Sequence, residues 1–176
     1  MTTLIKRLRE NDWQELRAIR LKALHSDPAV FGSNYQKEAI MTEADWKNWL
    51  RTNDGAIFML YENTRPIGMT AIAVDRDDPT NKKAILWGSW LESHARGKGL
   101  SEMMYRERIR WAKEHPTIEK IIVSHRASNL RSKHAIQRHG FLLMHKENKV
   151  WPDGTSDESI FYELRIQHLK DERPGT

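Results

Sequence analysis

The chain of 176 residues contains no cysteine. That removes disulfides, thiolate metal sites and a cysteine nucleophile at one stroke. Nowhere does it approach the ~18 to 20 consecutive apolar residues of a membrane span, and its N-terminus has no apolar signal-peptide core. Neither membrane insertion nor export is expected, and the expected location is cytoplasmic. Internal repeats and low-complexity tracts are missing. So is metal-ligand spacing among the eight histidines: His134 and His139 are five apart, on different sides of a helix, so no metal is expected. Glycine is sparse, with 9 residues in all, which draws the eye to the pair Gly97 and Gly99.

Charge is present in both signs. The 29 basic and 24 acidic residues leave a net +5 and a pI near 9.5. A basic balance invites a nucleic-acid reading. Here the two signs interleave and no RNA- or DNA-binding motif appears, so nucleic acid is not the expected partner. The local excess is confined to Arg126, Arg131, Lys133, His134, Arg138 and His139. A chain of this length buries about 70% of the surface it would expose unfolded, enough for one core. A single domain is expected over residues 1–166, with a polar C-terminal tail at 167–176.

Hydrophobic periodicity outlines the elements. Residues 3–8 read as a first strand. A helix capped by Asn11 or Asp12 runs to Ser26, with Leu16, Ile19, Ala23 and Leu24 on one face and Pro28 ending it. A second helix starts at Thr42, with Trp46, Trp49 and Leu50 as its apolar stripe. Residues 56–61 and 67–74 form a hairpin about residues 63–66. A polar loop at 75–82 leads to a buried strand at 84–91. Further strands are expected at 119–124, 141–146 and 159–164, and a further helix capped by Ser128 or Asn129 that ends at Gly140.

Between the strand at 84–91 and a helix beginning at Ser101 lies His94-Ala95-Arg96-Gly97-Lys98-Gly99-Leu100. A strand, a basic glycine turn and a helix present unpaired backbone N–H groups and the positive end of a helix dipole to an anion. The natural guest is a diphosphate. The ATP-type loop requires Gly-Lys-Ser/Thr, but Gly99 follows Lys98. The dinucleotide fingerprint requires a third glycine where Glu102 stands.

What remains, Arg96 through Ser101, is similar to the Arg/Gln-x-x-Gly-x-Gly/Ala turn of GCN5-related N-acetyltransferases, the GNAT family. Ser101 stands in place of the last small residue. A second motif supports the resemblance: Asn129-Leu130-Arg131-Ser132 opens a helix that closes in Gly140-Phe141, as in the family's later Asn-x-x-Ala/Ser segment. Residues 27–35 also resemble a loop between the family's first two helices, so the likeness spans roughly residues 3–165. It implies the GNAT acyl-CoA N-acyltransferase fold, an α/β (α+β) architecture with a mixed, mostly antiparallel sheet flanked by helices on both faces.

The resemblance implies acetyl transfer from acetyl-coenzyme A (acetyl-CoA), a co-substrate rather than a resident cofactor, to a small-molecule or peptide amine. Without cysteine, transfer is expected to be direct. The implied cofactor-binding residues are Leu91, through its backbone, then Arg96, Gly97, Lys98, Gly99, Leu100 and Ser101 around the pyrophosphate, and Asn129. Glu92 is the nearest strand carboxylate and the candidate general base, with Glu38 as second choice. Phe31, Tyr35 and Trp90 are candidates for the acceptor pocket. Trp87 and Trp90, three apart on a strand, are expected on opposite faces. Many relatives carry a tyrosine seven residues after the motif's asparagine to protonate the leaving thiolate. Here that position is Ile136, so the sulfur must depend on water, on Ser132 or His134, or on no acid. A homodimer is compatible with the resemblance. The alternative reading is a non-catalytic acyl-CoA sensor that binds a partner.

Overall fold

The computed structural model describes residues 2–167. All but the first residue of the expected polar tail therefore lies outside the described residues. Seven strands form one mixed sheet in the order β1-β2-β3-β4-β5-β7-β6. These are β1 (Thr3–Arg7), β2 (Gly55–Glu62), β3 (Arg65–Val74), β4 (Lys83–Leu91), β5 (Lys120–Arg126), β6 (Leu142–Val150) and β7 (Ser156–Arg165). All neighbours are antiparallel except β4 and β5. The expected architecture is the observed one.

The helices divide between the two faces. α1 (Trp13–Ser26) and α3 (Glu43–Arg51) pack on one, and α4 (Ser101–Glu114) and α5 (Leu130–Arg138) on the other. The division follows strand alternation. Ile57, Met59 and Ala71 point to α1 and α3, while Ala56, Phe58 and Ile72 point to α4. Thr42 caps α3 by accepting the Asp45 N–H, and Asn129 caps α5 by accepting that of Ser132. Asp12 caps a different group from the one expected: its carboxylate accepts the Arg9 N–H, fixing a short 3-10 turn ahead of α1. A short helix, α2 (Tyr35–Ala39), was not legible from periodicity, because five residues are too few to show a period.

Two irregularities in β4 create the functional opening. Its parallel pairing with β5 covers only Lys83 to Ile85 against Lys120 to Ile122. Beyond that point β5 pairs with β7 alone, and β4 diverges. The second is a bulge against β3, where Ala71 faces Trp87 and Met69 faces Trp90, so two residues oppose three. Gly88 takes up the extra residue at φ +66°, a left-handed conformation that costs an L side chain about 1 kcal/mol or more. The bulge reverses parity. Trp87 and Trp90, expected on opposite faces, both pack toward α1 and α3, and Ser89 between them faces α4.

Candidate active site

Where β4 leaves β5, a cleft of about 520 Å³ opens between the end of β4, the glycine turn and α5. The turn forms its mouth. Gly97 and Gly99 both sit at φ +75°, and a Cβ built on either meets nothing within 4 Å, so both face open space. The backbone N–H groups of Gly97, Gly99, Leu100 and Ser101 donate to no protein acceptor. They lie at and just ahead of the N-terminus of the fourteen-residue α4, where the helix dipole adds partial positive charge. Arg138 reaches across from α5 to the Ser101 hydroxyl at 3.2 Å, and Arg131 and His134 line the same wall. Glu102 brings the opposite sign, but its carboxylate is taken by His139 at 2.8 Å. The mouth is built for an anion.

Most of the residues expected to hold a cofactor meet here. Leu91, Arg96, Gly97, Gly99, Leu100, Ser101 and Asn129 line the cleft, and Lys98 does not. Arg96 turns away from the mouth. Its Nε donates to the Leu91 carbonyl at 2.8 Å and an Nη to Asp27 at 2.6 Å, so it ties the turn to the loop after α1. One of Leu91's backbone groups is thereby already engaged.

The expected general base and acceptor residues are distributed differently. Glu92 is buried but is not among the lining residues; it faces Lys22, Arg65 at 2.7 Å and His94 at 3.2 Å. Burial alone would raise its carboxyl, but Lys22 and Arg65 outweigh that and hold it below the usual carboxylate range. Glu38 is buried in a bidentate pair with Arg20, both bonds 2.8 Å. Phe31 lies under the Arg20 guanidinium in the α1-side core, and Tyr35 is exposed beside His25. Neither borders the cleft. Trp90 does border it, with its indole Nε1 donating to Asp27 at 2.6 Å.

Several lining residues escaped the sequence reading, among them Asp27, Ser89, Tyr105 and Arg108. Asp27 is a cleft carboxylate on the side of β4 away from Glu102's histidine pair: burial pushes its pKa up, but bonds from Trp90 and Arg96 hold it below the usual range. Tyr105 and Arg108 approach from α4 and close the inner end. A signal for the last two existed. The buried positions of α4 are Met104, Tyr105, Arg108, Trp111 and Ala112, an apolar stripe interrupted by one arginine. Ile136, where many relatives place a tyrosine, is fully buried in the core and offers the cleft nothing.

A mixed sheet parted beside its one parallel pair, with an amide-lined turn heading the helix at the opening, defines an acyl-coenzyme A-binding transferase frame. Residues 6–141 match the Acetyltransferase (GNAT) family, and the chain belongs to it. Solved structures agree on the fold. An acetyltransferase of the GNAT family from Streptococcus pneumoniae superposes at a TM-score of 0.80 with 18% identity, over 94% of this chain and all of that one. Ribosomal-protein-alanine N-acetyltransferase from Brucella melitensis gives 0.76 with 20% identity, over 93% and 99%. A Salmonella typhimurium protein, yncA, solved with its cofactor acetyl-CoA, gives 0.78 with 14% identity, over 97% of each chain. No curated protein matches the chain.

Proposed function

We propose that this protein transfers the acetyl group of acetyl-CoA directly to a primary amine of a small molecule or peptide. The single observation that carries the reading is the set of unpartnered N–H groups from Gly97 to Ser101 at the head of α4, which suits a pyrophosphate and little else. Solved relatives include one bound to acetyl-CoA and one named for the alanine of a ribosomal protein, which is consistent with an amine acceptor. None of the described helices is long and apolar enough to cross a membrane, and the cytoplasm is the compartment this reading implies.

Holding accounts for much of the catalysis. Fixing amine and thioester together can supply ~7 to 11 kcal/mol of the barrier in the best cases. Asp27, ionised and lining the cleft, fits the role of receiving the acceptor's ammonium and then its proton, directly or through water. Glu92, paired with Lys22 and Arg65 outside the cleft, fits a role in holding the end of β4 instead.

Acetyl-CoA should protect the fold against heat, by ~2.7 kcal/mol at one hundred times its dissociation constant. Thiol release across a library of small and peptide amines should then identify an acceptor. A chain that binds acetyl-CoA and releases thiol with none of them is a sensor rather than an enzyme. One that shows no thermal protection at all is neither.

A further inference from the structure

Arg108 is only 1% exposed, yet no carboxylate lies within ion-pairing distance of it among the described residues. Its Nε donates to the Met104 carbonyl at 3.1 Å and its Nη1 to the Ser89 hydroxyl at 2.8 Å. Ser89 in turn meets the Thr70 hydroxyl at 2.8 Å, and the guanidinium carbon lies 4.4 Å from the Tyr105 ring centroid. Every one of these partners is formally neutral. Burial pushes the arginine's pKa down to about 10, which still leaves it a cation at neutral pH. A buried charge without a counter-ion is costly, and apolar residues would fill the space under α4 more cheaply. The remaining side of the guanidinium faces the cleft.

Position along the cleft indicates which anion belongs there. Arg108 stands seven residues along α4 from Ser101, about 10 Å of helix rise, at the end away from the phosphate-receptive turn. A thiol-bearing arm entering from that turn passes Leu91 and Trp90 and arrives at Ser89, the residue Arg108 holds. Ile136 supplies no acid for the departing sulfur.

We propose that Arg108 is a catalytic residue whose guanidinium, with the Ser89 hydroxyl, takes up the negative charge of the coenzyme A thiolate as it leaves. The inference rests on the acetyl-transfer reading. The amine lone pair forms the C–N bond at the thioester carbonyl, the C–S bond breaks, and its electron pair stays on sulfur. The proton shed by the amine goes to Asp27 or to water. The sulfur needs no proton until the product leaves. Tyr105, whose phenol burial raises above its ordinary pKa, stays a neutral O–H beside the cation.

The test needs no knowledge of the acceptor. Free coenzyme A is bound to the full chain, and its thiol is titrated by the ultraviolet absorbance of the thiolate. In the wild type the bound thiol should titrate at least one pH unit below that of free coenzyme A in the same buffer, a tenfold gain in thiolate. Arg108→Met should return it to that value, and Arg108→Lys should recover part of the drop. Affinity for desulfo-coenzyme A, which carries no thiol, should stay within about twofold in both variants, since the lost contact is to sulfur alone. A bound thiol that titrates normally in the wild type overturns the proposal. So does an equal loss of desulfo-coenzyme A affinity in Arg108→Met, which would mark a packing role. Arg108-dependent preference for succinyl-coenzyme A over acetyl-CoA would also overturn it, because the arginine would then be reading a carboxylate. Failure of the wild type to bind coenzyme A at all would sink the acetyl-transfer reading itself, and this inference with it.

Discussion

Two arginines are buried on opposite sides of one short stretch of β4, and the protein treats them differently. Arg20, 5% exposed, is clasped by both oxygens of Glu38 and lies against the rings of Phe31 and Trp87. Arg108 has only neutral neighbours: the Met104 carbonyl, the Ser89 hydroxyl and the Tyr105 phenol. The first is charge-paired and fastens α2 to α1, though its Nη1 has no hydrogen-bond partner, whereas the second faces an opening. The difference teaches that burial alone does not distinguish structural from functional charge; the presence or absence of a counter-charge does.

The largest expected effect would break the comparison on the structural side. Glu38→Ala leaves Arg20 buried and alone, and should cost about 3–5 kcal/mol in denaturant unfolding. A loss below about 1 kcal/mol would show that this fold tolerates a lone buried guanidinium anywhere, and the contrast would lose its meaning. On the other side, Arg108→Met should stabilise the fold by about 1–3 kcal/mol, because it removes an uncompensated buried charge in exchange for an apolar chain of similar length. The same variant should lose about a hundredfold in turnover, with the KM for acetyl-CoA little changed. A variant both less stable and fully active would reverse the assignment.

Gly99→Ala sharpens the boundary between the cleft's mouth and its inner end. At φ +75° the substitution should cost about 1 kcal/mol of stability. Its methyl would stand where nothing else lies within 4 Å, in the space assigned to phosphate, so coenzyme A affinity should fall about tenfold or more by calorimetry. Arg108→Met should leave that affinity nearly intact.

The smallest effect concerns a buried base on β5. His125 lies between the Arg126 carbonyl at 2.7 Å and the Tyr162 hydroxyl at 3.2 Å, and burial pushes its pKa below the ordinary 6.5. A lowered folded pKa favours the neutral ring, so its contribution is complete above pH 6.5. That contribution declines as pH falls from 6.5 toward the folded value, where the unfolded chain takes up the proton more readily. Unfolding midpoints measured between pH 7 and 5 should slope downward, and His125→Phe should flatten the slope. The carboxylates of Asp27 and Glu92, both held low, add their own loss as pH falls below about 5.

Much of this was legible in one dimension, for physical reasons. The strands announced themselves through β-branched and aromatic runs, and the phosphate turn through glycines that only a left-handed backbone requires. The cap of α5 was readable from side-chain chemistry as Ser128 or Asn129, and Asn129 fills it. What resisted depended on the count of residues rather than their kind. The facing of Trp90 reverses because β4 spends one extra residue at Gly88, and alternation cannot reveal an insertion. Glu92 looked like the site's carboxylate because it follows the strand directly, but Lys22 and Arg65, both distant in sequence, pair with it. Asp27 borders the cleft only because Trp90 and Arg96 draw the loop after α1 inward. Arg108 was the missed opportunity, since its place in an apolar stripe was visible without any structure.

The extra residue at Gly88 also acts as a phase shifter for everything downstream in β4. Flatten the bulge into regular alternation with Gly88 still in the strand, and the strand end would come round half a turn. The Ser89 hydroxyl would then be delivered to the tryptophan shelf, and the Trp90 indole would be pressed against Arg108. The left-handed turn of a single residue thus decides which chemistry the opening receives, and a β-branched replacement of Gly88 that forces regular strand geometry should cost more turnover than replacing any one side chain nearby.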